Sequence, residues 1–199
     1  MRCFLAVELP EALKHALAGV LQELRSCGAD VRWVRPEAIH LTLKFLGEIQ
    51  AQQMEEIHLA VQEVVCCHGP FKMEARGLGC FPRLEQPRVV WVGLEGEKWK
   101  LEALQRDVER ALVQVGFPRE DRPFKPHLTL GRVKSPKARQ ALVQRLRNRE
   151  GIQLGEFMVE SVKLFRSELL PSGARYTGLW EERLALPGPE SAPCGAGFV

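Results

Sequence analysis

Apolar positions recur along this chain with two periods. Between residues 11 and 26, Leu13, Leu17, Val20, Leu21 and Leu24 fall at steps of three and four, which predicts a helix with one buried face. The same spacing predicts helices over 51–67, through Met54, Ile57, Val61, Val64 and Val65, and over 97–115, through Leu101, Leu104, Val108, Ala111, Leu112 and Val115. A fourth, basic helix is predicted over 136–149. Elsewhere the pattern shortens. Residues 2–9 are an apolar run that reads as a buried strand, and Val31–Val34 and Ala38–Leu46 read as strands broken by Pro36. Further strands are predicted over 71–81 and 88–94, joined by a turn from Pro82 to Pro87, and over 126–133. Two strands close the chain, about 155–166 and about 174–184, around a Pro171-Ser172-Gly173 turn. Paired strands between helices favour an α+β fold with antiparallel sheets over a parallel doubly wound one.

The alternation over 38–46 carries the first chemical signal. His40, Thr42 and Lys44 alternate with Ile39, Leu41, Leu43 and Phe45, so the polar set is expected on one face and the apolar set, Phe45 included, in the core. The tetrapeptide His40-Leu41-Thr42-Leu43 then returns unchanged as His127-Leu128-Thr129-Leu130. Threonine is scarce: of Thr42, Thr129 and Thr177, two stand two places after a histidine. One such motif on its own is ordinary strand sequence, but two identical copies in strand-like segments imply two related lobes. Each copy presents an imidazole and a hydroxyl side by side. Two copies facing one cleft would supply a proton acceptor, a proton donor and two uncharged hydrogen-bond donors, a set that suits phosphodiester cleavage. A metal reading is weaker, because no acidic residue accompanies both copies and no H-x-H or H-E-x-x-H spacing occurs.

Length and charge narrow the class further. With 199 residues, 45% of them apolar, the chain suits one domain or two small lobes and needs no disulfide or metal to fold. With 28 basic and 25 acidic residues the net charge is +3, which argues against a polybasic binder but allows a basic patch within a cleft. The N-terminal apolar run is too short for a leader peptide, and no stretch approaches membrane-spanning length, so a cytoplasmic protein is expected. The six cysteines match neither a zinc site nor a disulfide framework and are expected to be reduced. Residues 188–199, rich in proline and glycine, read as a flexible tail after a domain of residues 1–187.

The duplicated H-x-T-x strands resemble the 2H phosphoesterase superfamily. Their context is similar to its RNA 2′,3′-cyclic phosphodiesterases, also called the 2′-5′ RNA ligase family: Arg2-Cys3-Phe4-Leu5-Ala6-Val7, Trp33-Val34, His40 to Gly47, Pro87 to Gly93, Arg122 to Arg132, Leu164 to Leu169 and Gly173 to Tyr176. The resemblance implies a bilobal fold in which two antiparallel sheets, each backed by helices, are related by a pseudo-two-fold axis about a central cleft. It also implies a metal-independent, cofactor-free hydrolase that opens the terminal 2′,3′-cyclic phosphate of RNA to a 2′-phosphate, with His40 as proton donor and His127 as acceptor. Some relatives run the reaction backwards and join RNA ends, tRNA halves among them, through a 2′-5′ bond. Arg132 matches a family arginine and has the fork geometry for a phosphate. Thr42 and Thr129 would hold the phosphoryl oxygens.

Lys44 reads equally as a phosphate ligand or a solvated lysine, and Lys125 is a weaker candidate of the same kind. Tyr176 and Phe81 are candidates for stacking on a base, with core packing the stronger reading for Phe81. The basic fourth helix, with Lys137, Arg139, Arg145, Arg147 and Arg149, reads first as a solvated face, and His15, His58 and His68 as surface residues. A monomer is expected. The alternatives are a relative acting on small cyclic nucleotides or 2′-5′ linkages, and a non-catalytic module that binds RNA ends.

Overall fold

The computed structural model describes residues 1–170 and 173–185. Strand β1 (Arg2–Glu8) buries Cys3, Phe4, Leu5, Ala6 and Val7 in succession, as a strand covered on both faces must. Helix α1 (Glu11–Arg25) buries Leu13, Leu17, Val20, Leu21 and Leu24 on one face. Strand β2 (Val31–Trp33), a single 3-10 turn at Pro36–Ala38 and strand β3 (His40–Glu48) follow. Then come α2 (Gln53–Val65), β4 (Phe71–Phe81), β5 (Val89–Gly96), α3 (Lys98–Gln114), β6 (His127–Val133) and α4 (Arg139–Asn148). The chain closes with β7 (Gln153–Val159), β8 (Ser161–Leu170) and β9 (Gly173–Arg183).

The helices match the apolar spacing to within a few residues. The last part of the chain does not: the strand expected over 155–166 is two strands, broken at Glu160. The buried set runs Phe157, Val159, Val162, Leu164, so the alternation slips by one residue at the break. That slip lets β7 pair with β4 and β8 pair with β1, on opposite sides of the molecule.

The strands form one sheet in the order β7-β4-β5-β6-β3-β1-β8-β9, with β2 beside β6, and every pairing is antiparallel. The two expected sheets are its halves, joined at the single pair Leu41↔Leu128 between β3 and β6. Helices α2 and α3 pack on each other, α2 reaching β9 and α3 reaching β3, while α1 packs on β7 and α4 on β4. Helix α1 therefore leaves one half of the sheet and covers the other. Arg149, after α4, fixes it there with two hydrogen bonds to Glu23, of 3.1 and 2.9 Å. No helix among the described residues is long and apolar enough to cross a membrane.

Both motif strands carry a bulge at the same place. Along β3 the partners on β1 skip Leu43, since Leu5 faces Lys44 and Ala6 faces Thr42. Along β6 the partners on β5 skip Leu130, since Val90 faces Gly131 and Trp91 faces Thr129. An extra residue on one strand inverts the faces of everything after it. This overturns two expectations. Lys44 does not face the histidine side. It is buried on the helix side, where its Nζ donates to Glu109 Oε1 of α3 at 2.6 Å and to the Pro118 carbonyl at 2.8 Å. Phe45, expected in the core, is 60% exposed.

The cysteine expectation also needs correction. Cys3, Cys27 and Cys80 are free thiols, but Cys67 is disulfide-bonded. Adjacent Cys66 and Cys67 do not bridge each other, their sulfurs being 3.8 Å apart. The expected tail, 188–199, lies outside the described residues.

Glu109 also accepts the Glu120 N–H at 2.7 Å, so the Lys44–Glu109 pair ties the segment before β6 to β3. Removing one member of a buried pair leaves the other charge uncompensated. Lys44→Met should lower unfolding stability in urea by about 3 kcal/mol, and the double variant Lys44→Met/Glu109→Leu should regain part of that loss.

Candidate active site

Each motif histidine is the first residue of its strand and is held in the same way. His40 Nδ1 lies 2.9 Å from the Ala38 carbonyl, and His127 Nδ1 lies 2.7 Å from the Lys125 carbonyl, two residues back in both cases. A carbonyl only accepts, so Nδ1 carries the proton, and in each neutral ring Nε2 is left as the lone-pair nitrogen. Of Lys125 it is thus the backbone that serves the site, while its side chain is exposed.

Leu41 and Leu128 are fully buried on the helix side, so His40, Thr42, His127 and Thr129 share the other face. The pairing Leu41↔Leu128 sets His40 across from Thr129 and Thr42 across from His127. The two imidazoles are therefore diagonal neighbours, roughly 7–8 Å apart on a regular ladder. That spacing leaves room for one phosphoryl group between them. Neither threonine hydroxyl is engaged by another described residue. The bulge after Thr129 turns Arg132 onto the same face, although strict alternation would place it behind. Arg132 is exposed and close enough for its charge to act on both His127 and Tyr176.

The two rings have unequal surroundings. His40 stacks on Phe4 with centroids 4.5 Å apart, and Tyr176 meets it edge-on at 5.1 Å. Burial pushes its pKa down to about 4, against the pull of the Ala38 carbonyl and with a smaller contribution from His127. His127 is met edge-on by Phe81 at 5.0 Å, and Phe81 in turn meets Trp91 at 5.2 Å. Its pKa is also lowered by burial, opposed by the Lys125 carbonyl, with Arg132 adding to the depression. Glu8 stands across from His40, but Lys163 at 2.5 Å and Lys14 at 3.2 Å engage its carboxylate, and the hydrogen bond from Lys163 lowers its pKa.

A cavity flanks each histidine. One of about 290 Å³ adjoins His40, with Phe165 and Tyr176 in its wall. A larger one of about 640 Å³ adjoins His127, with Phe81, Trp91 and Phe124 among its lining residues. Phe81 is thus at the edge of a cleft, not in the core. Trp91 is a site residue that the sequence reading misses. Its six-membered ring fills the space above Gly79, where a Cβ would stand 2.3 Å from the ring. Gly79 pairs with Trp91 across the ladder and Gly93 follows Trp91 by two, so the three share one face, and the Trp-x-Gly step is the signal the sequence offers. Among the described residues no three His, Cys, Asp or Glu side chains form a group able to hold a metal.

The remaining polar candidates lie elsewhere. Of the three histidines expected at the surface, His15 is exposed, while His58 and His68 are half-buried and bond Glu182 at 2.5 Å and Asp107 at 3.0 Å. Arg145 of the basic helix and Arg149, just after it, are paired with Glu23.

A family model described as the 2′-5′ RNA ligase superfamily matches residues 3–169. The chain belongs to the 2′-5′ RNA ligase superfamily. Within that superfamily it is 38% identical over 184 residues to the RNA 2′,3′-cyclic phosphodiesterase of Methanothermobacter thermautotrophicus, covering 92% of this chain and 99% of that protein. It is 37% identical to the protein of the same name from Thermus thermophilus, covering 94% and 91%. Among solved structures, TT0787 of Thermus thermophilus superposes with a TM-score of 0.79 at 33% identity, covering 92% of this chain and 98% of that one. Escherichia coli LigT complexed with 3′-AMP superposes at 0.72 with 25% identity, covering 92% and 97%.

A histidine whose folded pKa lies below its unfolded value keeps its stabilising effect above the unfolded pKa and loses it as pH falls toward the folded one. For His40 that window runs from 6.5 down to about 4. Over it, urea unfolding should show the wild-type chain losing about 3 kcal/mol more than His40→Gln. Parallel curves would mean that His40 titrates alike in the folded and unfolded chain, without the depression that burial imposes.

Proposed function

We propose that this chain hydrolyses the terminal 2′,3′-cyclic phosphodiester of RNA to a 2′-phosphomonoester, using His40 and His127 as an acid–base pair and no metal. The observation that carries the reading is the diagonal pair of imidazoles, each with Nδ1 fixed on a carbonyl and Nε2 free. The names of its relatives supply the substrate class.

In this mechanism His127 Nε2 takes a proton from water as the water oxygen bonds to phosphorus. The P–O3′ bond breaks on the opposite side, and protonated His40 delivers its proton to O3′. The 2′-phosphate remains. Thr42, Thr129 and Arg132 hold the non-bridging oxygens, where negative charge grows in the transition state. His40 is enclosed by Phe4 and Tyr176, and His127 borders the larger cavity, which favours His127 as the residue that meets water. Both imidazoles are largely neutral in the free protein. The anionic substrate raises the pKa of its neighbours and supplies the reason for His40 to be protonated in the complex. Tyr176 and Phe81 stand beside the two histidines as walls for a base or ribose. With a 5′-hydroxyl in place of water, the same steps in the same direction would form a 2′-5′ linkage.

His40→Ala or His127→Ala should lower kcat on an oligonucleotide ending in a 2′,3′-cyclic phosphate by about 10²–10⁴-fold, with circular dichroism unchanged. Wild-type turnover in either variant would overturn the mechanism. The product should be a 2′-phosphate. EDTA should leave the rate unchanged, and loss of activity restored by zinc would establish a metal route instead. The profile of kcat/KM against pH should be bell-shaped, with its optimum displaced to the acid side of 6.5, because burial lowers both histidines in the free protein. An optimum above 7 would show that other groups set the two limbs.

A further inference from the structure

Arg32 of β2 and Arg132 of β6 are direct ladder partners. Gly131 fixes which way they point. A Cβ on Gly131 would stand 2.7 Å from Val31 Cγ1 and 2.8 Å from Trp33 Cε3, so Val31 and Trp33 close over Gly131 on the helix side. Arg32, between them in the strand, points the opposite way. It therefore shares with Arg132 the face of His127 and Thr129. Both arginines are exposed, and neither has a carboxylate partner among the described residues. Like charges directly across a ladder destabilise it. The fork of a guanidinium suits the paired oxygens of a phosphate, and an anion laid between two of them turns the repulsion into binding.

We propose that Arg32 receives the first internal phosphodiester of the RNA, one nucleotide before the cyclic end, while Arg132 holds the reacting phosphate. The inference rests on the reading given under Proposed function. A third cation, Arg2, acts together with Arg32 and Arg132 on the Tyr176 hydroxyl, so positive charge continues along this wall toward His40. Such a site distinguishes an RNA chain from a 2′,3′-cyclic mononucleotide, which has no second phosphate. It also explains how a chain of net charge +3 can favour a polyanion: the selectivity resides in one local pair of cations.

The test compares the wild-type chain with Arg32→Ala and Arg32→Lys on a trinucleotide ending in a 2′,3′-cyclic phosphate and on a 2′,3′-cyclic mononucleotide. Arg32→Ala should lower the ratio of the two kcat/KM values about tenfold, through KM for the trinucleotide. It should also make the fall of log kcat/KM with log salt shallower by about 1. Arg32→Lys should restore the salt slope but only part of the ratio. An equal loss on both substrates, or no loss on either, overturns the inference. A trinucleotide ending in a 2′-phosphate, titrated in parallel, separates the two readings. If no wild-type turnover is found on either substrate, the proposed reaction fails. Equal affinity of wild type and Arg32→Ala for this product-ended trinucleotide overturns the Arg32 site, whatever the turnover.

Discussion

One strand pairing holds the site together. Leu41 faces Leu128 where β3 meets β6, and this is the single residue pair that joins the two halves of the sheet. Both leucines are fully buried, so the junction is anchored from the helix side by the apolar core. A slip of one residue there would invert the faces and separate the histidines. The burial of two ordinary leucines thus fixes the mutual position of His40, Thr42, His127 and Thr129. The Lys44–Glu109 pair supports the junction from behind, because Glu109 also holds the Glu120 N–H in the segment that leads to β6.

Much of this is legible in the sequence. The repeated tetrapeptide locates both histidines and both threonines, and alternation places them on one face. The strand starts, each with a histidine bonded to the carbonyl two residues back, account for their equal geometry. The failures have a common cause. Strict alternation through Leu43 misplaces Lys44 and Phe45, because β3 carries an extra residue there. The same alternation through Leu130 would turn Arg132 away from the cleft, where the family pattern rather than the period puts it. A bulge depends on what the partner strand offers, and the two strands involved lie far apart in sequence. The merged strand over 155–166 is a milder case, since the slip between Val159 and Val162 is visible in the apolar pattern.

The electrostatics of the site follow from its walls. Phe4 and Tyr176 enclose His40, and Phe81 meets the edge of His127, so both rings are partly desolvated and their charged forms are disfavoured. The carboxylate across the ladder from His40 is engaged by two lysines, and therefore does not offset this. The resting site is a pair of neutral imidazoles beside uncompensated arginines. On the proposed reading an anion entering this site would complete it electrically and would also promote protonation of a histidine.

The twin bulges also break a symmetry. The motif repeat gives each half the same histidine, leucine, threonine and leucine, and a phosphate between two such halves would meet the same groups after a half-turn. Beyond the bulge the halves diverge: the position occupied by Arg132 in one is Phe45 in the other, and Gly131 corresponds to the buried Lys44. β6 therefore adds a cation where β3 adds an aromatic ring. A nucleotide has the same polarity, with an anionic end and a flat apolar one. In the proposed reaction the duplicated frame would supply two proton carriers, and the unequal arms would give the ligand a preferred direction of entry, so that two histidines of the same motif could hold different roles.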